Sequence, residues 1–414
     1  MLDLSIANRV NREKLLYVAD WLAIAVAVSM PWSTSATSIL SVLWLLALIP
    51  TLRWTDIRAE LMTPAGGLPV FLVVLGALGM LWADVTLLER WRGFESFLKL
   101  LVIPLLFVQF RSSDRGAWVL GGYLVSCVFL LTVSFIVVAI PALSAPLMHL
   151  DHVLVKNAAT QSGEFVTCIF GLLFLTVEYF ERRRWWWMII LLAVILGMLA
   201  NIFYVATGRT ALVIIPILLV LLAVKKLKAK GVVIVFVSAI SIGVVSWTAS
   251  SYLRERTNAV WTEIQRYEAT DERNSSGERI EFAKKSVDFI RAAPIFGNGT
   301  GAIRSLFISA TAGQTGAAGS ATTNPHNQTL AVAIQLGLVG AVVLWAMWIA
   351  HLLLFRGPGL AEWIGLMVVV QNIVGSLFNS HLFDFGQGWV YVLGVGVAGG
   401  MAMKNRTLEN SVQD

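Results

Sequence analysis

Apolar runs long enough to cross a bilayer recur along the whole of this sequence, and they constrain its fold more than any other feature. A membrane-spanning helix needs about 20 consecutive, mainly apolar residues, and it satisfies its backbone hydrogen bonds internally. The composition agrees, since 57% of the residues are hydrophobic and only 14% are charged. The sequence therefore predicts an all-α integral membrane protein and excludes a soluble globular fold.

Twelve transmembrane helices are predicted. They lie near residues 15–32, 39–52, 68–82, 94–110, 117–139, 163–180, 185–205, 210–224, 231–250, 329–353, 360–378 and 386–402. The first run has no small-residue cleavage site, so we expect it to be retained as a span. The predicted domains are residues 1–250 with nine spans, residues 251–325 as a polar helical domain, and residues 326–414 with three spans and a tail.

The distribution of basic residues predicts the orientation of the chain. Cytoplasmic loops carry an excess of Lys and Arg. With the N-terminus in the cytoplasm, the cytoplasmic connections contain seventeen Lys and Arg residues, whereas the short outer loops contain four. Both termini are therefore predicted to be cytoplasmic. The polar domain is predicted to lie outside, in the periplasm of a double-membrane bacterium, because long loops are translocated regardless of charge.

Two amphipathic helices are predicted in the polar domain, between spans nine and ten. The first covers about 252–269. The second begins at Ser275, with Glu278 completing a capping-box pattern, and it stops before Pro294. The segment 311–323, which consists almost entirely of Gly, Ala, Ser and Thr, is expected to be flexible and is a candidate substrate lid.

Two rigidly held arginines and one histidine are predicted to converge on the outer face, around a cavity that is open to lipid. Arg209 lies in a tight turn between two apolar runs, Arg279 lies in the first turn of the second amphipathic helix, and His326 immediately precedes a span. A helix N-terminus disfavours the imidazolium, so we expect His326 to be neutral and able to accept a proton. An interfacial anchor for Arg209 and a simple helix cap for His326 are the alternatives.

Other polar positions give weaker signals. The run that includes Gly297 and Gly299 follows a helix and could offer backbone N–H groups to a phosphate. Lys156 is the only cation of a long outer loop, although a lysine reaching to the interface is the simpler interpretation. The same loop contains two His and one Asp, which are too few ligands to predict a metal site. Asn379, His381 and Asp384 fill the last outer turn. The two cysteines, Cys127 and Cys168, lie inside apolar runs, so no disulfide is expected.

Four short motifs occur in a fixed order in the second half of the chain. They are Thr-Gly-Arg209-Thr, Ser-Gly-Glu-Arg279, Pro-Ile-Phe-Gly-Asn-Gly-Thr-Gly and Pro-His326-Asn-Gln-Thr-Leu. This combination resembles the O-antigen ligase superfamily, which also includes O-antigen polymerases and protein O-oligosaccharyltransferases. The essential Arg and His residues of that superfamily correspond to Arg209, Arg279 and His326. Asp384 is a looser match, and Lys156 and Asn327 are further candidate substrate-binding residues.

The resemblance implies a metal-independent, inverting glycosyltransferase of the bacterial inner membrane that needs no cofactor. Its donor would be a polysaccharide on undecaprenyl diphosphate, and its acceptor would be a sugar hydroxyl of lipid A–core. Membrane lipid is an expected partner and nucleic acid is not.

The residues themselves are compatible with this chemistry. Fixed guanidinium groups can bind the charge that develops on a diphosphate leaving group, and a neutral histidine can accept a hydroxyl proton. A polymerase of the same superfamily is the nearest alternative. A transporter of lipid-linked substrates is a more distant one, since it predicts several charged residues near the middle of spans, and Lys99 is the main case.

Overall fold

The protein is helical throughout the part of the chain that the structure describes, a computed structural model covering residues 2–140, 155–206, 208–227, 233, 236–237, 240–241, 243–245, 247–248 and 251–413. The helices are α1 (Leu2–Ser29), α2 (Thr34–Leu48), α3 (Trp54–Leu61), α4 (Pro64–Gly79), α5 (Leu87–Leu98), α6 (Val102–Ser112), α7 (Gly116–Ala139), α8 (Ala158–Glu181), α9 (Trp185–Tyr204), α10 (Arg209–Lys226), α11 (Ser251–Thr270), α12 (Ser275–Ala292), α13 (Ile303–Thr311), α14 (Gln328–Leu354), α15 (Leu360–Gly375) and α16 (Phe385–Gln413).

The prediction of twelve spans is confirmed only in part. Among the described residues, six helical segments are long and apolar enough to cross a membrane, and α3 and α4 together form a seventh candidate that is bent by 88°. α15 is apolar but only 16 residues long. Half of the span predicted near 231–250 lies outside the described residues, as do His149, Asp151, His152 and Thr207.

Large apolar side chains fill the interior of the bundle. Trp348 of α14, Trp363 of α15 and Phe107 of α6 are among the fully buried ones. Around them α6 packs along α16, α8 packs against α9, α10 and α15, and α14 packs against α4 and α15. Burial of aromatic side chains of this size is a large favourable term in helix packing. This packing therefore fixes α14 and α15 side by side.

The start of α14 is joined to the turn that follows α15. The backbone N–H of Gln328 donates to the carbonyl of Ser376 (2.9 Å), and Gln328 Oε1 accepts the backbone N–H of Leu382 (2.9 Å). Gln328 is fully buried. These bonds hold residue His326, two positions earlier, beside the turn between α15 and α16.

α14 is broken at Gly337, whose φ of 64° and ψ of −161° are not helical. The break frees carbonyl groups that bind the loop after α12. The backbone N–H of Asn298 donates to Ile334 O (2.8 Å), and that of Gly299 donates to Gln335 O (3.0 Å). The N–H of Gly297 is likewise taken by Ala293 O (3.1 Å). The expectation that Gly297 and Gly299 offer free N–H groups to a phosphate is therefore wrong, because both groups are already paired.

The two helices predicted in the polar domain are confirmed as α11 and α12, and α12 begins at Ser275 as expected. Its cap differs, however. The side chain of Asn274 accepts the N–H of Gly277 (2.9 Å), whereas Glu278 binds Arg273 Nε (2.8 Å) instead of closing a capping box. The N-cap is Asn274 and not Ser275, so Glu278 lies one residue beyond the third helical position, where a capping box needs its carboxylate.

The segment 311–323 is held by specific contacts, so the expectation of a flexible lid is not supported. Ser320 Oγ donates to Glu278 Oε1 (2.7 Å), and the N–H of Ala317 donates to Asp271 O (3.0 Å). The side chain of Ala317 is fully buried. These contacts tie the segment to both ends of the α11–α12 connection.

Candidate functional site

His326 lies between the polar domain and α14, with its backbone in the left-handed region at φ 55°. Its backbone N–H donates to Asn324 Oδ1 (2.9 Å), and its ring Nδ1 lies 3.1 Å from Asn379 Oδ1. Asn324 and Asn379 are themselves bonded, at 2.8 Å between Nδ2 and Oδ1. A left-handed backbone is uncommon for a residue with a side chain and persists where surrounding contacts hold it. The ring is thus anchored at both its backbone and its Nδ1.

α12 supplies the wall against which the imidazole packs. The ring of Phe282 is stacked on that of His326, with centroids 6.0 Å apart and planes 17° apart. Arg279 lies three residues before Phe282, so the two side chains share one face of the helix. The positive charge of Arg279 also acts on His326, as described below. α12 therefore brings an aromatic surface and a cation to the histidine together.

Arg209, at the start of α10, is connected to the polar domain through Glu263 of α11. Its guanidinium lies 3.2 Å from Glu263 Oε1 and 3.5 Å from Oε2. Glu263 Oε2 also accepts from Ser276 Oγ (2.6 Å) and from the Ser276 backbone N–H (3.1 Å) in the first turn of α12. This carboxylate thereby fixes the start of α10 against the start of α12, one helical turn from Arg279.

Arg279 differs from its neighbours in having no counter-ion. The other described Lys and Arg side chains of α11–α13 each form an ion pair or a hydrogen bond, whereas the Arg279 guanidinium forms neither with any described residue. Desolvation, and then the positive charge of Arg209, lower the pKa of Arg279. A guanidinium placed near another cation without a partner is a site where an anion would be stabilised.

The environment of His326 favours its neutral form. Burial, followed by the charge of Arg279, lowers the pKa of His326 below its usual value of 6.5. The bond to Asn379 and the charge of Glu278 act in the opposite direction but are smaller. The surroundings of the ring thus act in the direction that the sequence predicts, with burial and the charge of Arg279 as causes.

A cavity of about 660 Å³ opens beside His326. Its wall includes the carboxylate of Asp384, from the last turn, and two cations, Arg92 of α5 and Arg304 of α13. Amides and hydroxyls supply much of the remaining surface, from Asn157, Ser96, Thr323, Asn324, Gln335, Asn379 and Ser380. Neither Arg209 nor Arg279 is among the residues that line it. The expectation that both arginines and the histidine surround one cavity is therefore not met by the cavity beside His326, which neither arginine lines.

Lys99 holds the turn that carries Asp384. Its ammonium donates to the carbonyls of Phe383 (3.1 Å) and Asp384 (2.9 Å). Lys156 points inward to Glu164, at 3.1 Å, and does not line the cavity, although the next residue, Asn157, does. Both lysines thus have structural partners.

Asn327 is the N-cap of α14. Its Oδ1 accepts the N–H of Leu330 (3.0 Å), and its Nδ2 donates to Leu377 O (3.4 Å). Both polar atoms have partners within the protein, and binding of substrate by this side chain stays a prediction.

Four residues around the site were not predicted to act in it. Arg92 and Arg304 stand out in the sequence only by their charge, and Asn324 lies at the end of the polar region. Asn379 was noted as part of the last outer turn. The sequence signal for Asn324 is its position two residues before His326, whereas nothing local links Asn379 to a histidine 53 residues earlier. In the part of the chain that the structure describes, no group of three or more His, Cys, Asp or Glu residues could hold a metal ion.

A known protein family matches the part of the chain that contains Arg209, Arg279 and His326. The model of the family described as O-antigen ligase matches residues 198–345. No curated protein matches the chain. The matched region starts before Arg209 and ends within α14, so it includes Arg209, Arg279 and His326. The match over residues 198–345 therefore supports the O-antigen ligase/polymerase superfamily for this chain.

Proposed function

We propose that this protein ligates an O-antigen polysaccharide from undecaprenyl diphosphate to lipid A–core at the periplasmic face of the bacterial inner membrane. The family supports a glycosyltransferase-like activity on lipid-linked glycans. The observation that carries the proposal is the unpaired Arg279 between Arg209 and a half-buried His326. This constellation supplies a site for an anionic leaving group next to a neutral proton acceptor.

The arginines would act on the donor. As the bond between the sugar and the diphosphate breaks, its electron pair passes to the phosphate oxygen, where negative charge develops. Arg279 has its hydrogen-bond donors free, and Arg209 is positioned by Glu263. Preorganised donors for developing charge are usually the largest single contribution to catalysis. The guanidinium groups would serve here in the role that a divalent cation has in other glycosyl transfers.

His326 would act on the acceptor. The acceptor hydroxyl oxygen attacks the anomeric carbon and forms the new glycosidic bond, while its proton passes to the neutral imidazole. General-base assistance of this kind contributes about 10²–10⁴-fold. The cavity beside His326, with its amides, hydroxyls and paired charges, suits a glycan acceptor. A single displacement of this kind inverts the anomeric configuration.

Reconstitution tests the proposal. Purified protein, undecaprenyl-diphosphate-linked glycan and rough lipopolysaccharide are combined with EDTA present, and extended lipopolysaccharide is the expected product. His326→Ala and Arg279→Gln should each abolish most of the transfer. Arg291→Gln is the matched control, because it removes an exposed cation of the same helix that is paired with Asp288 (3.2 Å).

The outcomes separate the candidates. Transfer to a second lipid-linked glycan instead of to lipopolysaccharide would identify a polymerase. Full activity of His326→Ala would remove the histidine from the mechanism. Equal losses in Arg279→Gln and Arg291→Gln would show that the position of the charge at Arg279 is unimportant.

A further inference from the structure

We propose that Asn379, itself oriented by Asn324, is a positioning residue that fixes the tautomer of His326 with its proton on Nδ1, leaving Nε2 to accept the proton of the acceptor hydroxyl. The catalytic consequence rests on the proposed function, whereas the tautomer does not. Four hydrogen bonds fix this tautomer, and their directions are all determined by one group that can only donate.

That donor is the backbone N–H of His326. It lies 2.9 Å from one side-chain atom of Asn324, and a backbone N–H can only donate, so this atom is the amide oxygen. The hydroxyl of Ser380 lies 2.7 Å from the same oxygen and is a second donor to it. The other end of the Asn324 amide is therefore the NH₂ group.

This NH₂ group fixes the next amide in turn. It lies 2.8 Å from a side-chain atom of Asn379. An NH₂ group can only donate, so the atom it meets is the oxygen of Asn379. The orientation of both amides is thus determined by the backbone of His326, and no free choice between oxygen and nitrogen remains.

The imidazole must then donate. Its Nδ1 lies 3.1 Å from the same Asn379 oxygen, which has no hydrogen to give. Nδ1 therefore carries the proton, and in the neutral ring the lone pair resides on Nε2. Stacking on Phe282 restricts the ring plane as well. The network thus selects one tautomer and one ring position.

An amide has a particular advantage over a carboxylate at this position. Both orient the ring, but a carboxylate would favour the imidazolium and raise the pKa, whereas an amide oxygen does so much less. The charged groups around the ring are Arg279 and Glu278 of α12, Arg304 of α13, Arg92 and Glu89 of α5, and Asp384 after α15. With Asn379 as the orienting group, the base remains neutral beside Arg279.

A spectroscopic experiment tests the tautomer directly. Full-length protein labelled with ¹⁵N-histidine gives ring-nitrogen shifts that distinguish protonated from unprotonated sites, and subtraction of the His326→Gln spectrum assigns the signals. At neutral pH we expect a protonated Nδ1 and an unprotonated Nε2. In Asn379→Leu the preference for this tautomer should decrease. A proton on Nε2 in the wild-type protein would overturn the proposal.

Kinetics test the positioning role. Asn379→Leu should lower kcat within the about 10²–10⁴-fold that a general base supplies, with little change in KM. Asn379→Asp should recover activity at higher pH, because its carboxylate restores the orientation but raises the pKa of the base. Asn258→Asp, an exposed change on α11, is the control and should leave the pH profile unchanged.

The two hypotheses fail separately. Wild-type kcat in Asn379→Leu, or an unshifted pH profile in Asn379→Asp, would overturn the positioning role even if wild-type protein ligates normally. The expected tautomer without any glycan transfer by the wild-type protein would instead refute the proposed function and leave the tautomer assignment intact.

Discussion

Replacing Gly337 by alanine should destabilise the protein more than any other single methyl addition to α14. Gly337 has φ 64° and ψ −161°, a region that is essentially restricted to glycine. An added Cβ would lie 2.2 Å from the carbonyl oxygen of Ile295 and 2.6 Å from the backbone nitrogen of Phe296. These are backbone atoms, so the contact cannot be relieved by a change of rotamer. Either the loop after α12 must move away from α14, or residue 337 must change its dihedral angles and close the break in the helix.

The expected loss of stability combines the backbone strain at residue 337 with the hydrogen bonds that are broken when the loop moves. Placing a residue other than glycine at these dihedrals costs roughly 1–3 kcal/mol. Separating the loop from α14 also breaks the bonds from Leu338 N–H to Pro294 O (2.8 Å) and from Gly299 N–H to Gln335 O (3.0 Å). Each net contribution is about 1 kcal/mol. We therefore expect Gly337→Ala to lose about 3–5 kcal/mol of stability, summing the strain and two bonds.

Gly121→Ala is the matched control, since it adds the same methyl group inside a helix. No atom lies within 4 Å of the Cβ position at Gly121 in α7. Alanine should be more stable than glycine there by about 0.5–1 kcal/mol. Unfolding by SDS titration in mixed micelles, followed by circular dichroism, measures both variants. Equal stabilities of Gly337→Ala and Gly121→Ala would refute the reasoning that the break in α14 is fixed by the loop.

The remaining predictions concern the groups around the histidine. The acid limb of the ligation pH profile should have its midpoint below 6.5. Burial and the charge of Arg279 lower the pKa of His326, so the reactive neutral form persists as the pH falls. A midpoint above 6.5 would contradict this. Glu263→Gln should lower the stability by about 1 kcal/mol in the same unfolding titration. The loss is small because the ion pair is partly exposed, with side-chain accessibilities of 22% for Glu263 and 35% for Arg209. No loss would show that the carboxylate does not join α10 to α12. Lys99→Met should leave two carbonyls of the last turn without donors, which should lower kcat and reduce the stability of the protein by about 1–3 kcal/mol. An unchanged kcat would show that the order of the turn holding Asp384 does not limit transfer.

Local patterns in the sequence were sufficient to predict most of the helices. The apolar runs predicted near 117–139 and 185–205 correspond closely to α7 and α9, and the periodicity of the polar region predicted α11 and α12. Helix formation is governed by composition and by contacts a few residues apart, which a sequence displays directly. The number of true spans is less accessible, because short or bent helices such as α3 and α4 depend on their neighbours.

The partners of individual groups could not be predicted in the same way. The paired N–H group of Gly299 illustrates this, because its partner, Gln335 O, is freed by a break in a helix 38 residues farther along. Lys99 is a second example, since a mid-span cation could serve a transport path, whereas the structure gives it two carbonyl partners more than 280 residues away. Satisfying a buried polar group is a property of the assembled fold.

The separation of the arginines from the cavity bears on the stereochemistry of the proposed reaction. In a single displacement the attacking hydroxyl and the leaving diphosphate lie on opposite sides of the anomeric carbon. In the proposed reaction the acceptor would occupy the cavity beside His326, and the diphosphate would lie at Arg279, outside the lining of that cavity. Retention would instead need a protein nucleophile, and the carboxylates of the cavity wall, Glu89 and Asp384, would be the groups to examine. The anomeric configuration of the linkage formed from a donor of known configuration therefore distinguishes the two mechanisms, and inversion is the expected result.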